Sequence, residues 1–496
     1  LHGSIHSFPT RRSSDLCRWV PAEGANRILA MVQMRPDWCL SRQRLWGVPI
    51  PVFYCSRCHQ PVITRESLSS VEEQVRKFGS DIWVEKSAAD LLPAGFTCPH
   101  CGGTSWEKEK DILDVWFDSG VSHLAVLTTR KNLAWPADVY LEGSDQHRGW
   151  FQTSLITACG LTGKAPFRTV VTHGFVVDAE GRKMSKSLGN VITPEQVIKT
   201  HGAEILRLWV ASENYQQDVR ISESILKNLV TVYRGIRNTI RFLLGNLHDF
   251  SPEDRVLPEQ MEEVDRWALA KLQETILSVT AAYEEFLFYR VYELLYDYCN
   301  LWLSSFYLDY LKDRLYTHGK TSRSRRAAQT VLREILTSLL KLLAPILSFT
   351  AEEAYQCLPG RQKESIFLED WPEKAEPDQA LLQRWERFFT FRKLVLKKIE
   401  DKRQEKLIGS SLAAAVRVKG SPDWIDFLNS FRHLPALLLV SEITAQAADG
   451  ELEVTIEKTR YDKCQRCWIY HPTVGENTAY PDLCIKCAQI VSGQEC

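Results

Sequence analysis

PFRTVVTHGFVVDAEGRKMSKSLGNVITPEQVIKTHGAEILRLWV, residues 166–210, decides the fold class. PFRTVVTHGFVV (166–177) has the look of a buried strand. GRKMSKSLGN (181–190) then packs three basic residues, two serines and two glycines into ten positions. Next comes a helix whose start is marked by a capping-box pattern, with Thr193 as N-cap, Pro194 at N1 and Gln196 at N3. Strand, loop and helix in that order predict an α/β fold with a parallel sheet. Glycines let such a loop move. Lys183 and Lys186 are point charges suited to phosphates and to charge that develops during phosphoryl or nucleotidyl transfer. A solvated lysine-rich turn is the bland reading of Lys-x-x-Lys. The full KMSKS string between a strand and a capped helix favours the chemical one.

Working outward, short apolar runs alternate with Gly/Pro/Asp turns from 17 to about 225. The pattern then changes to long helices. In 225–247, Ile225, Leu229, Tyr233, Ile236, Ile240 and Leu244 form one stripe at spacings of three and four. Comparable periodicity runs through 264–315 and 323–345, and Thr350-x-x-Glu353 predicts the opening of another helix. These helices form a bundle. Near 409 the helical signal fades into shorter segments, and the last 40 residues make a cysteine-bearing module. The 496 residues suffice for about three domains. With 61 Lys+Arg against 62 Asp+Glu, affinity for a polyanion must come from local basic faces. No apolar run reaches the ~20 residues that span a bilayer. LHGSIHSFPTRRSSDL (1–16) has no secretory apolar core and no helical or strand period, so it is expected to be disordered or foreign to the fold.

Eight of the 14 cysteines fall into four Cys-x-x-Cys pairs; Cys17, Cys39, Cys159, Cys299, Cys357 and Cys496 are single, which suits a reducing cytoplasm. Cys464 and Cys467, then sixteen residues, then Cys484 and Cys487, match a four-thiolate zinc spacing. His471 is a rival ligand, although four thiolates already complete a tetrahedron. So small a module has little core, and metal is expected to supply its folding energy. Cys55, Cys58, Cys98 and Cys101 make a second candidate, separated by a longer insert, with a redox pair as the alternative. On the 225–244 helix Lys227, Arg234 and Arg241 recur every seven residues opposite the apolar stripe, with Arg237 nearby. Such a row can follow a phosphate backbone, or be an ordinary solvated face.

KMSKS resembles the second signature loop of class I aminoacyl-tRNA synthetases. YLEGSDQHRGWFQTSL (140–155), DWCLSRQRLWGVPIPVFY (37–54), DILDVWFDSG (111–120), YRGIRNTIRFLLGNLHDF (233–250) and the cysteine-rich end closely resemble the isoleucyl-tRNA synthetases among them, over residues 17–496. The resemblance implies a Rossmann-like catalytic half (17–222) with a zinc-knuckle insertion (52–110) and the loop at 183–187. It further implies an α-helical anticodon-binding bundle (223–408), a junction (409–455) and a small zinc module touching tRNA (456–496). It implies ATP with magnesium and isoleucine as substrates, isoleucyl-adenylate and pyrophosphate as products of the first step, and tRNA(Ile) as acceptor. By resemblance, Lys186 binds ATP phosphates with Lys183 assisting, and Ser185 and Ser187 lie beside them. Glu142 and Gly143 lie where the adenylate is contacted, a carboxylate at a strand end being able to hold an ammonium. Asp145 and Gln146 are ribose or amino-acid contacts. Trp46 and Trp150 are walls of a side-chain pocket, unless they simply pack in the core. The basic row becomes a tRNA face. A cytoplasmic monomer is expected.

That class has an earlier signature, His-x-Gly-His, which none of the twelve histidines begins. The expectation is therefore a C-terminal portion without the first catalytic half or the editing domain, poorly active or inactive alone but able to bind tRNA. The rival readings are a tRNA-binding protein without catalysis, and a synthetase for valine.

Overall fold

The structure is a computed structural model that describes residues 17–35 and 37–493. The amino-terminal segment 1–16 and Cys496 lie outside the described residues. The chain forms two compact units. One runs through Val177 and includes Tyr215–Arg220; the other comprises Asp178–Asn214 and the chain from Ile221 onward.

The first unit is built on a parallel sheet in the order Arg18–Val20, Phe167–His173, Ala137–Gly143. Val170 is the middle of it, paired with Trp19 on one side and Tyr140 on the other. At its buried centre the residues are β-branched or aromatic (Trp19, Val20, Tyr140, Phe167, Val170 and Val171), as suits a covered parallel sheet. The helices Gly24–Gln33 and Trp150–Thr162 bring Ile28, Phe151 and Leu155 onto Trp19, Tyr140, Phe167 and Val170. The strand expected over 166–177 is two strands. It breaks at Gly174, where a Cβ would lie 2.3 Å from the Gln217 carbonyl oxygen, and resumes as Val176–Val177 beside Val219–Arg220.

The cysteine-bearing segment 52–110 has its own small antiparallel sheet, in the order Pro61–Val62, Phe53–Cys55, Trp106–Lys108. Phe53, Ile82, Trp83 and Leu91 form its core against the helix Arg65–Phe78. Asp114 ties DILDVWFDSG to the 37–42 segment. Its carboxylate accepts from Trp38 Nε1 (2.9 Å) and Arg42 Nη2 (2.6 Å) while capping the helix Val115–Gly120.

The second unit is helical, with Glu223–Gly245, Glu263–Glu284, Arg323–Leu343 and Gln379–Gln404 as its long members. On the first of these Leu229, Ile236 and Ile240 are buried as expected. Leu226, Thr239 and Leu243 complete the buried arc, and Ile225, Tyr233 and Leu244 flank it half-buried. The helix expected to open at Thr350 starts two residues earlier, as Ser348–Gln356. Its Phe349 N–H is satisfied by Glu204 Oε1 from another helix (2.8 Å), so no local cap is needed, and Thr350 bonds Tyr233 instead (2.9 Å). After residue 409 a mixed sheet forms in the order Glu442–Ala447, Ala414–Gly420, Glu453–Lys458, followed by the cysteine module. No helix among the described residues is long and apolar enough to cross a membrane.

Candidate functional site

The signature loop is shaped by two side chains that no motif predicted. Asp178 Oδ1 accepts from the N–H groups of Glu180 (3.1 Å) and Arg182 (2.8 Å). Its Oδ2 accepts from Arg182 Nε (2.8 Å) and Asn190 Nδ2 (2.9 Å). Asn190 returns its Oδ1 to Ser185 N–H (2.9 Å), so one Asp–Asn clamp holds both ends of the loop. The Asn190 amide, helped by the Arg182 amide and guanidinium, holds the Asp178 carboxyl down at about 2. Ser185 Oγ accepts from Leu188 N–H (3.3 Å) and sits 3.0 Å from Ser187 Oγ, closing a short helical turn at 186–188. Gly181 and Gly189 take left-handed backbone at φ +81° and +63°. Lys183 and Lys186 project from this frame, exposed and outside every ion pair among the described residues. The loop thus offers two free ammonium groups on a fixed backbone.

In the first unit, Glu142 and Gly143 end the strand Ala137–Gly143. Glu142 Oε1 accepts from Gly143 N–H (2.9 Å) and lies 3.7 Å from His173 Nε2 on the adjacent strand. His173 Nδ1 faces the Gly174 carbonyl oxygen at 2.7 Å, and a carbonyl can only accept, so that nitrogen carries the proton. Asp145 is exposed. Gln146 braces the helix Trp150–Thr162, because its Oε1 accepts from Trp150 N–H (3.1 Å) at the helix start while its Nε2 donates to Asp145 (3.2 Å). Trp150 stacks on Tyr140, with centroids 4.1 Å apart and planes within 11°, and donates from Nε1 to the Ser119 carbonyl (3.0 Å). Trp46 is 94% exposed, so the two tryptophans have different settings.

Both cysteine sets converge. In each, four sulfurs lie within 4.8 Å of one another. Neighbouring Sγ atoms are 3.5 Å apart for Cys55 and Cys101, 3.7 Å for Cys58 and Cys98, and 3.9 Å for Cys467 and Cys484. A zinc tetrahedron with bonds of ~2.3 Å has sulfur–sulfur edges of about 3.8 Å. A disulfide needs roughly 2 Å. Both sets therefore have the geometry to hold a metal ion. Three of the four pairs share one knuckle, in which the first cysteine's N–H bonds the carbonyl five residues on: Cys55 to Gln60, Cys98 to Gly103, Cys464 to Ile469. The residue after the second cysteine is left-handed in each, at His59 (φ +56°), Gly102 (φ +71°) and Trp468 (φ +64°). The fourth pair opens the helix Ile485–Val491. Hydrogen bonds from Cys467 and Cys487 lower the Cys484 thiol, and Cys467 is pushed up in return. His471 turns its Nδ1 to Thr473 Oγ1 (2.7 Å), and the metal cluster is made of the four cysteines.

The basic row is exposed along the helix Glu223–Gly245. Lys227 pairs with Glu223 (3.6 Å) and Arg237 with Glu353 (3.1 Å), whereas Arg234 and Arg241 form no ion pair among the described residues. Arg241 borders an open recess of about 370 Å³ with Asn238, Phe242 and Tyr316, and the Tyr316 ring is 59% exposed.

Comparison with known proteins fits this arrangement segment by segment. Residues 9–222 match the family of tRNA synthetases class I (I, L, M and V). Residues 265–418 match the anticodon-binding domain of tRNA ligase, and 462–490 match a zinc finger found in FPG and IleRS. The isoleucine–tRNA ligase of Carboxydothermus hydrogenoformans is 51% identical over 488 residues, which is 95% of this chain and 53% of that protein. The corresponding ligase of Natranaerobius thermophilus is 49% identical, with the same coverage. The chain belongs to the class I tRNA synthetases.

This synthetase chain spans about half the length of the curated relatives it matches. A solved LeuRS from Agrobacterium radiobacter K84, in a ternary complex with tRNA and LeuAMS, shares the fold at TM-score 0.52 and 22% identity, over 85% of this chain and 46% of that one. Within the class I fold, sequence reading missed Asp178, Asn190, His173 and Tyr316. Asp178-x-x-Gly181 is a turn pattern and was legible as such. Nothing in the string announces that Asn190 closes the loop, or that Tyr316 is an exposed aromatic on its helix while Tyr310 is buried.

Proposed function

We propose that this chain carries the nucleotide-handling loop, the adenylate-side strand end and the tRNA-facing helices of an isoleucine–tRNA ligase. The observation that carries the reading is the KMSKS loop, whose two free ammonium groups stand on a backbone fixed by Asp178 and Asn190. Lys186, with Lys183 beside it, stabilises the negative charge that gathers on pyrophosphate as the isoleucine carboxylate displaces it from ATP. Donors fixed before the reaction need no reorganisation when that charge develops. Ser185 and Ser187 line the same turn and add hydroxyl donors for ATP, with magnesium accompanying the nucleotide. Glu142 takes the amino acid's ammonium, Gly143 leaves room for the adenylate to approach, and Asp145 and Gln146 contact its ribose or its amino-acid part. Trp46 and Trp150 bound the side-chain pocket. The relatives' names favour isoleucine over valine.

Arg234 and Arg241, with Lys227 and Arg237 along the same face, follow the tRNA(Ile) backbone, and the protein works as a monomer. Cys464, Cys467, Cys484 and Cys487 hold one zinc ion, and Cys55, Cys58, Cys98 and Cys101 a second. With four thiolates each, both are structural and leave no open position for a reactant.

The test pairs two measurements on this chain: tRNA binding, and ATP–pyrophosphate exchange with isoleucine, valine and leucine supplied separately. Preference for tRNA(Ile) over tRNA(Val) is expected, and loss of all tRNA binding sinks the proposal. Isoleucine-dependent exchange that disappears in Lys186→Ala assigns the loop its catalytic role. Because no His-x-Gly-His occurs among the twelve histidines, the exchange assay also decides for the second reading. Binding without exchange leaves a tRNA-binding chain that does not catalyse on its own.

A further inference from the structure

Each cysteine pair of the C-terminal module has a basic residue just before its second cysteine: Arg466 before Cys467 and Lys486 before Cys487. Both side chains reach the helical bundle, and Arg466 faces the sulfurs as well. Arg466 Nη1 donates to the Thr317 carbonyl and lies 3.7 Å from Cys487 Sγ. Lys486 Nζ donates to Asp313 Oδ2 at 2.6 Å. Asp313 and Thr317 belong to the helix Leu308–Thr317 of the bundle, and Thr317 is its last residue. The final carbonyls of a helix lack partners within it and carry its negative end. One of them is thus satisfied by an arginine of the cysteine module.

Four thiolates around one divalent zinc form a dianion. Half-buried Arg466 lies between that dianion and an anionic helix end and is held from both sides, while half-buried Lys486, next to Cys487 in the chain, is held by Asp313; the attraction is strong where water is thin. Without metal the four sulfurs are no longer gathered into one compact dianion, and the pull on Arg466 from the cysteine side weakens while the helix side remains. The first cysteine site gives a built-in contrast. Arg57 holds the same place before Cys58, but it turns back to the Cys101 carbonyl at 3.4 Å, inside its own knuckles.

We infer that Arg466 and Lys486 form an electrostatic latch through which zinc at Cys464, Cys467, Cys484 and Cys487 docks the C-terminal module onto the end of the helix Leu308–Thr317. Because coupling is reciprocal, docking also strengthens zinc binding. The latch rests on the zinc reading of the four thiolates.

The experiment is hydrogen exchange on the full chain, stripped with a chelator under reducing conditions and titrated with zinc. Amides of 308–318 report docking; those of Trp468 and Ala488 report metal at the knuckles. Zinc is expected to protect both sets together. In zinc-saturated Arg466→Gln/Lys486→Gln, the knuckle amides stay protected while 308–318 exchanges as in the stripped wild type. Half-protection of the knuckles in that variant moves to about ten- to hundredfold higher zinc, the usual effect of losing groups that support metal ligands. Arg57→Gln changes neither. If zinc protects the knuckles but leaves 308–318 unmoved, or if the double variant keeps wild-type protection there, the latch is overturned and the zinc reading stands. A chain that takes up no zinc at the knuckles overturns both.

Discussion

Asp178 shows how much of a site one buried carboxylate can organise. It accepts four hydrogen bonds from the loop it precedes, and its carboxyl is held at about 2, first by the Asn190 amide. A depressed carboxyl stabilises the fold above its ordinary range, near 4, and loses that contribution as pH falls through its folded value. The loop should therefore keep its shape down to about pH 4 and open progressively toward pH 2. At neutral pH, Asp178→Asn removes the charge that makes these bonds strong. Trypsin should then cut at Lys183 and Lys186 about tenfold faster than in the wild type, since the stronger, charge-assisted bonds are the ones lost. An unchanged cleavage rate would show that the backbone alone shapes the loop. The exposed lysine loop of Lys183 and Lys186 was legible in the sequence because its pattern is local. The clamp was not, because the partners are twelve residues apart and neither residue type is unusual in a turn.

At the scale of elements, local signals were kept wherever the element supplied its own partners. Thr193 Oγ1 accepts from Gln196 N–H (3.3 Å) and Gln196 Oε1 from Thr193 N–H (3.0 Å), as the capping pattern required. The signal failed where a distant residue took over, as Glu204 does at Ser348–Gln356 and the Gln217 carbonyl does at Gly174. The cysteine knuckles were legible from spacing, but His59 and Trp468 in left-handed backbone were not, since only Gly102 advertises that conformation. Gly103 permits a clean test, because a Cβ there would lie 3.1 Å from Cys55 Sγ and 3.3 Å from Cys101 Sγ. Gly103→Val should lower bound zinc from two ions per chain to one, measured by elemental analysis, with the C-terminal site retained. Two ions in the variant would show that the first site tolerates the crowding. In the bundle, Asp265 is wholly buried and grips Arg314 through two bonds of 2.9 and 2.7 Å, with Tyr307 on the same carboxylate. Removing one partner strands the other charge, at a cost of about 3–5 kcal/mol. Asp265→Ala should lower the guanidinium midpoint of the helical transition accordingly, and a shift worth less than about 1 kcal/mol would place that ion pair among the replaceable ones.

For the whole molecule, a net charge of −1 means that a polyanion meets no general attraction and must find the local rows. Four basic residues share the exposed face of Glu223–Gly245, and periodicity alone cannot rank them. The structure does: Glu223 and Glu353 already partly neutralise Lys227 and Arg237, while Arg234 and Arg241 are free of ion pairs among the described residues. A cation with a built-in acid partner must give up that pair before it contacts a phosphate, so it gains less on binding and releases fewer counterions from the nucleic acid. Each phosphate neutralised contributes about 0.7–0.9 to the slope of log affinity against log salt. Arg234→Gln and Arg241→Gln should each reduce that slope for tRNA(Ile) by close to one such unit, followed by fluorescence anisotropy across a potassium chloride series. Lys227→Gln and Arg237→Gln should move it by clearly less. Tyr316→Ala, beside Arg241, should weaken binding without changing the slope, because stacking on a base releases no counterion. Slopes unchanged from the wild type in all four charge variants would mean that the helix is a solvated face and that the tRNA path lies elsewhere on the chain.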